Sequence, residues 1–99
     1  MQLKVHNGNI EFELETFPFF RHEEWIKQFA HSIEGNHQIT ISEYEYSGDT
    51  SGCCINFENS VFILRINELI ELAWIEPSSV DECKLDRLYR VLLATLKRS

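Results

Sequence analysis

The sequence predicts an α+β fold, a two-layer sandwich in which two amphipathic helices pack against an antiparallel sheet. Three observations lead to this prediction: two segments of helical periodicity, several short strand-like runs joined by turn signals, and an apolar concentration at 61–75. The length of 99 residues predicts a single domain over 1–99. The predicted order of elements is ββαβββα, with about five strands in the sheet.

The first element is a predicted β-hairpin. Residues 2–6 and 10–15 flank Asn7-Gly8, which is the strongest short turn signal in the chain. Alternation places Ile10, Phe12 and Leu14 towards the core. Three glutamates then form an exposed carboxylate row: Glu11, Glu13 and Glu15.

A helix is predicted to begin between 18 and 21 and to end at Gly35. Pro18 suits a first helical turn, and Glu23 and Glu24 suit the positive end of the helix dipole. One side of this helix is apolar and consists of Trp25, Ile26, Phe29, Ala30 and Ile33. His22 lies at the edge of that side, where we expect a partly buried histidine with its hydrogen bonds satisfied.

Residues 38–46 are predicted to form a strand whose apolar phase changes between the isoleucines and the tyrosines. A one-residue bulge near Ser42 would bring Ile39, Ile41, Tyr44 and Tyr46 to the inner side. Residues 47–52 are predicted to be a loop, and 53–58 the next strand. In that strand Cys53, Ile55 and Phe57 are in phase, and a turn at 58–60 follows.

The stretch 61–75 is predicted to supply the centre of the sheet. Its two runs, 61–66 and 69–75, are separated by Asn67-Glu68, which is short enough for a hairpin. The predicted core residues are Phe62, Leu64, Ile66, Ile70, Leu72 and Trp74. The opposite face is predicted to carry Val61, Ile63, Leu69, Ala73 and Ile75 beside Arg65 and Glu71. Because a strand that is apolar on both faces requires cover on both, we expect a partner on this second face.

The last helix is predicted over 80–97, after Pro77 and a capping box at Ser79 and Glu82. Its apolar stripe consists of Leu85, Leu88, Tyr89, Leu92, Leu93 and Leu96. Its basic residues are Lys84, Arg87, Arg90, Lys97 and Arg98. We interpret them as solvated, as complementing the helix C-terminus or as paired with neighbouring acids, because no aromatic platform for nucleic acid accompanies them.

The net charge of −7 disfavours binding to nucleic acid or to an anionic membrane and favours a basic partner. No run reaches the roughly 18 apolar residues that a membrane helix requires. The N-terminal residues do not have the pattern of a signal peptide. Three cysteines, two of them adjacent, indicate a reducing compartment, and we expect a cytoplasmic protein.

Motifs for catalysis or metal binding are weak. The four histidines lack metal-ligand spacing, so we expect neither a metal nor a cofactor. Adjacent strand residues point to opposite faces, which makes Cys54 the more exposed thiol of its pair, and Cys83 lies in the first turn of the last helix. Alternation explains the glutamate row at 11, 13 and 15, although a carboxylate on a second strand would make divalent-cation binding or acid–base chemistry feasible.

Two functional hypotheses follow from these patterns. We favour a non-catalytic protein-binding or regulatory module that forms a homodimer or binds a basic partner, one form of which would be an inhibitor of a basic enzyme. The expected partner surface consists of Ile63, Arg65, Ala73, Ile75, Glu11, Glu13 and Glu15. The alternative is a small enzyme with a cysteine- or carboxylate-based site.

Overall fold

The structure, a computed structural model, describes residues 2–19, 21–78 and 82–97, with the backbone alone at positions 82, 83 and 97. The elements are β1 (Gln2–His6), β2 (Asn9–Glu13), α1 (His22–Ile33), β3 (Ile39–Ser47), β4 (Thr50–Phe57), β5 (Ser60–Asn67), β6 (Leu72–Pro77) and α2 (Glu82–Lys97). The expected capping box at Ser79 and the Cys83 thiol lie outside this description.

The strands form one antiparallel sheet in the order β1-β2-β6-β5-β4-β3. The α+β class, the antiparallel sheet and the succession of strands and helices are therefore confirmed. The sheet has six strands rather than about five, one for each of the strand-like runs of the sequence, including both runs of the 61–75 stretch. As predicted, these two strands, β5 and β6, lie at the centre.

Two of the two-residue turns between neighbouring strands adopt left-handed backbone conformations at both positions. Asn7 and Gly8 have φ values of 52° and 77°, and this turn closes the predicted hairpin of β1 and β2. Glu58 and Asn59 have φ values of 50° and 63° between β4 and β5. Such turns match the twist of the strands they join, which sets the register of both hairpins.

The pairing of β3 with β4 contains the predicted bulge. The register shifts by one residue between Ser42 and Glu45, and Glu43 has a φ of 53°. The bulge turns Tyr46 to the helix side, opposite the buried Ser51. Tyr44 and Tyr46 nevertheless remain 40% and 37% exposed, because β3 is an edge strand that the helices only partly cover.

The predicted loop at 47–52 is wrong. Only Gly48 and Asp49 form the turn, and β4 already begins at Thr50. Gly48 takes a φ of 54°, which allows a two-residue turn and leaves the remaining polar residues in the ladder. The apolar phase of β4 is confirmed, since Cys53, Ile55 and Phe57 are all buried.

The predicted core face of β6 is also wrong. Leu64 is opposite Ile75 and Ile66 is opposite Ala73, so Ala73 and Ile75 share the inner face with the confirmed core residues of β5. The reason is the connection at 68–71: any hairpin loop with an even number of residues places Ile66 opposite an odd-numbered residue of β6. Leu72 is 50% exposed, Ile70 lies in the turn, and Trp74 points outward.

Both helices pack on the inner face of the sheet. α1 buries its predicted apolar side, apart from the half-buried Trp25, and α2 buries Leu85, Leu88 and Leu92. Phe12 makes edge-to-face contacts with Trp25 and Phe29, with ring centroids 5.4 and 5.0 Å apart. Within the described parts of the chain, neither helix has the length and apolar content needed to span a membrane.

Candidate functional site

Helix packing leaves the opposite face of the sheet open. We call it the uncovered face; it comprises the outward residues of the six strands. Arg65 and Trp74 lie opposite each other at its centre, and Ile63 lies opposite Glu76. Nε of Arg65 donates a hydrogen bond of 2.6 Å to Oε1 of Glu76. An ion pair thus lies among apolar side chains in the middle of this face.

The structure brings part of the expected partner surface together. Ile63 and Arg65 are half-buried on the uncovered face. Ala73 and Ile75, in contrast, are 1% and 0% exposed beneath the helices, so their assignment to the partner surface is wrong. Trp74 and Leu72 occupy the outward positions of β6 instead.

The carboxylate row on β2 is shorter than expected. Glu11 and Glu13 point outward on the strand, whereas Glu15 lies beyond its end. Oε2 of Glu11 is 3.0 Å from Nδ1 of His6, and Oε1 of Glu13 is 3.3 Å from Nζ of Lys4. Both glutamates therefore have a cross-strand partner on β1.

A cleft of about 530 Å³ lies between the outward side chains of β3, β4 and β5, and we call it the central cleft. Its lining includes Glu43, Glu45, Gly52, Cys54, Ile63 and Arg65. A Cβ atom on Gly52 would lie 2.8 Å from the carbonyl oxygen of Leu64, so glycine is required by the close approach of β5. Gly52 also leaves the space that the cleft occupies.

The Cys54 thiol in the central cleft donates a hydrogen bond to Oε2 of Glu43 at 3.2 Å. Burial, this hydrogen bond and the charges of Glu43 and Glu45 raise the pKa of Cys54, while Arg65 lowers it to a smaller extent. Cys53 is buried on the other face, and burial raises its pKa to about 12. Cys54 is the more exposed thiol, as predicted, but its surroundings disfavour the thiolate that a nucleophile requires.

Exposed apolar side chains lie on the connection between β5 and β6 and on the first residue of β6; Leu69 and Ile70 of this connection were predicted to lie in a strand. Leu69, Ile70 and Leu72 are 75%, 56% and 50% exposed. Beside them is a second cleft of about 310 Å³, lined by Asn9, Glu11, Ile70, Leu72, Ala73 and Trp74, which we call the end cleft. The sequence signal for this turn is Asn67, whose Oδ1 accepts hydrogen bonds from the backbone amides of Leu69 and Ile70.

Three polar residues, one from each segment, link α1, β4 and the β5–β6 connection. Oγ of Ser51 and Nδ1 of His22 share a hydrogen bond of 2.5 Å, and Nε2 of His22 is 3.7 Å from Oε2 of Glu68. As expected, the His22 side chain has a hydrogen-bond partner, here at Nδ1, but at 6% exposed it is buried rather than partly buried. Ser51 is 1% exposed, so a substrate has no access to its hydroxyl, and these three residues act as a structural link.

The basic stripe of α2 is partly paired with acidic and carbonyl oxygens of the sheet. Nη2 of Arg87 is 2.6 Å from Oε2 of Glu58, and Nζ of Lys84 donates a hydrogen bond to the backbone oxygen of Glu58. This arrangement agrees with the interpretation of the stripe as a surface paired with neighbouring acids. Among the described side chains, no group of three or more metal-binding residues is found.

Comparisons of the chain with protein-family models, with curated proteins and with solved structures found no match. Function is therefore inferred from the geometry of the uncovered face, the central cleft and the end cleft.

Proposed function

We propose that this protein is a non-catalytic binding module that holds a basic protein partner on the uncovered face of its sheet. The main support for this proposal is the side-chain composition of that face. Ile63, Trp74 and Leu72 form an apolar line over the two central strands, with the Arg65–Glu76 ion pair among them. A patch of apolar, tryptophan and arginine side chains within a polar rim has the composition of a protein interface.

The rim of the uncovered face favours a basic partner. Glu43 and Glu45 point outward on the β3 side, and Glu11 and Glu13 point outward on the β2 side. Lys4 pairs with Glu13 and Arg65 with Glu76, whereas among the described residues no cation forms an ion pair with Glu43 or Glu45. These two carboxylates would attract lysine or arginine side chains of the partner.

A second copy of the chain is less suited to this face. Because both sides of the face carry carboxylates, a two-fold symmetric contact would place acids against acids. The net charge of −7 adds repulsion between two copies. We therefore favour a basic partner over the homodimer that the sequence analysis also allowed.

The compartment that we propose is the cytoplasm. This proposal is supported by the free thiols of Cys53 and Cys54, which point to opposite faces of β4 and so do not pair with each other, because unpaired cysteines are typical of a reducing compartment. A reducing environment would preserve this state.

The experiment compares matched variants as immobilised baits in an extract of the cells that make the protein. Val61→Ser and Ile63→Ser together alter the uncovered face, whereas Val5→Ser alters an exposed apolar residue on the helix side. Val5 and Val61 are 42% and 38% exposed, so the control is matched in exposure. We expect a basic protein to be retained by the wild type and by Val5→Ser and lost from the double variant. Equal retention by all three baits would contradict the proposal.

A further inference from the structure

The β5–β6 connection displays apolar side chains while polar contacts hold its backbone. Oδ1 of Asn67 accepts hydrogen bonds from the amides of Leu69 at 2.9 Å and Ile70 at 3.3 Å. The amide of Glu68 donates to the carbonyl oxygen of Asp49 at 2.8 Å, and its carboxylate lies 3.7 Å from Nε2 of His22. The conformation of the connection therefore does not depend on burying Leu69 or Ile70.

The end cleft lies directly beside this connection. Ile70, Leu72 and Trp74 form its apolar side, and Glu11 of β2 provides a carboxylate on the opposite side. The cleft is open to solvent and is continuous, through Trp74, with the apolar line on the uncovered face. An apolar side chain in this cleft would be next to the carboxylate of Glu11, which also contacts Nδ1 of His6 at 3.0 Å, so a lysine or arginine beside it in the partner would find an opposite charge.

We propose that the end cleft takes an apolar side chain from the basic segment of the partner, with a neighbouring cation at Glu11. This inference rests on the proposed function and specifies its anchor. The connection is pre-organised by Asn67 and Glu68, so that binding costs little ordering of the chain. A second copy would instead bring its own Glu68 and Glu71 with Leu69 and Ile70 towards Glu11.

The probe is a synthetic amphipathic peptide of leucine and lysine, and its control is a lysine-only peptide of equal charge. We expect the leucine–lysine peptide to bind and to shift the indole resonance of Trp74, which the lysine-only peptide leaves unchanged. Leu72→Ser and Ile70→Ser should each weaken binding about tenfold, because each removes contact area for one buried side chain. Val5→Ser, which alters the helix side, should leave the dissociation constant unchanged.

The possible failures are distinguishable. If Ile63→Ser weakens binding of the peptide but Leu72→Ser and Ile70→Ser do not, the end cleft is not the anchor and only the present inference is overturned. If none of the three variants changes the dissociation constant, or if the peptide does not bind at all, both the anchor and the proposed function are overturned. If the Trp74 resonance shifts with protein concentration alone, a second copy of the chain occupies the cleft. The proposal of a basic partner is then overturned.

Discussion

Arg65 and Trp74 lie opposite each other on β5 and β6, on the face of the sheet that the helices leave open. Their neighbours Leu64 and Ile75 form the adjacent pair, and both are 0% exposed beneath the helices. One register thus decides which residues of the two central strands stabilise the fold and which are available to a partner. Arg65 is further oriented by its hydrogen bond to Glu76 on the same face.

Alanine substitutions on β6 should lower the free energy of unfolding more on its buried face than on its outward face. Ile75→Ala removes a fully buried side chain and is expected to lower the free energy of unfolding by about 2–5 kcal/mol. Leu72→Ala on the same strand, where the side chain is 50% exposed, should cost much less. Urea denaturation measures both values. A larger loss for Leu72→Ala than for Ile75→Ala would mean that the register is wrong.

Removal of the Ser51 hydroxyl should destabilise the protein. In Ser51→Ala, Nδ1 of the buried His22 loses its partner, and we expect a loss of about 1–3 kcal/mol in the free energy of unfolding. The control is Ser47→Ala at an exposed position of β3, which should change stability by less than about 0.5 kcal/mol. Equal values for the two variants would show that the buried hydrogen bond contributes nothing.

A methyl group at position 52 should not fit. Gly52→Ala places a Cβ atom 2.8 Å from the carbonyl oxygen of Leu64, so the strands must separate locally, at a cost of about 1–3 kcal/mol. Gly35→Ala is the matched control, because no atom lies within 4 Å of its added Cβ. Thermal unfolding of the two variants should show a lower midpoint for Gly52→Ala alone. An unchanged midpoint would mean that β4 and β5 are less closely packed.

Thiol labelling should report the electrostatics of the central cleft. In a Cys83→Ser background, Cys54 should react with a maleimide more slowly at neutral pH than a free cysteine, since burial and Glu43 raise its pKa. Glu43→Gln removes one of these causes and should accelerate the reaction, whereas Glu11→Gln outside the cleft should not. A rate that is independent of Glu43 would contradict this environment.

The buried Cys53 gives stability a dependence on alkaline pH. Its pKa of about 12 in the folded protein exceeds the ordinary value of 9.0, so the unfolded chain releases the proton first. The contribution of Cys53 is therefore fully present below pH 9.0 and decreases as the pH rises towards 12. Cys53→Ala should reduce the fall in stability over this range, as measured by urea denaturation. An identical fall in both proteins would remove this explanation.

Local sequence signals predicted most of the fold because each depends on neighbouring residues. Asn7-Gly8 determined a turn, the alternation of Cys53, Ile55 and Phe57 determined a buried face, and the phase change near Ser42 indicated a bulge. The core face of β6 was predicted wrongly because Trp74 has a larger apolar side chain than Ala73 and was therefore assigned to the core. The even number of residues in the connection between β5 and β6 places Ala73 opposite Ile66. This register decides which face of β6 is buried, whatever the sizes of its side chains.

The site depends on contacts that the sequence does not display. The end cleft exists because β2 lies beside β6, a pairing between the two ends of the chain that turn signals do not specify. The link between His22 and Ser51 likewise joins residues separated by 29 positions. Ile63 and Arg65 were predicted for the partner surface from alternation alone, whereas Leu72 and Trp74 required the observed register.

The most direct test of binding at the uncovered face is a nitrogen–proton NMR titration of the labelled protein with the basic protein that it retains. We predict that the largest shifts occur at the amides of β5 and β6 around Ile63, Arg65, Leu72 and Trp74, and that added salt reduces them. Shifts confined to α1 and α2, with the resonances of β5 and β6 unchanged, would contradict the proposed role of this face.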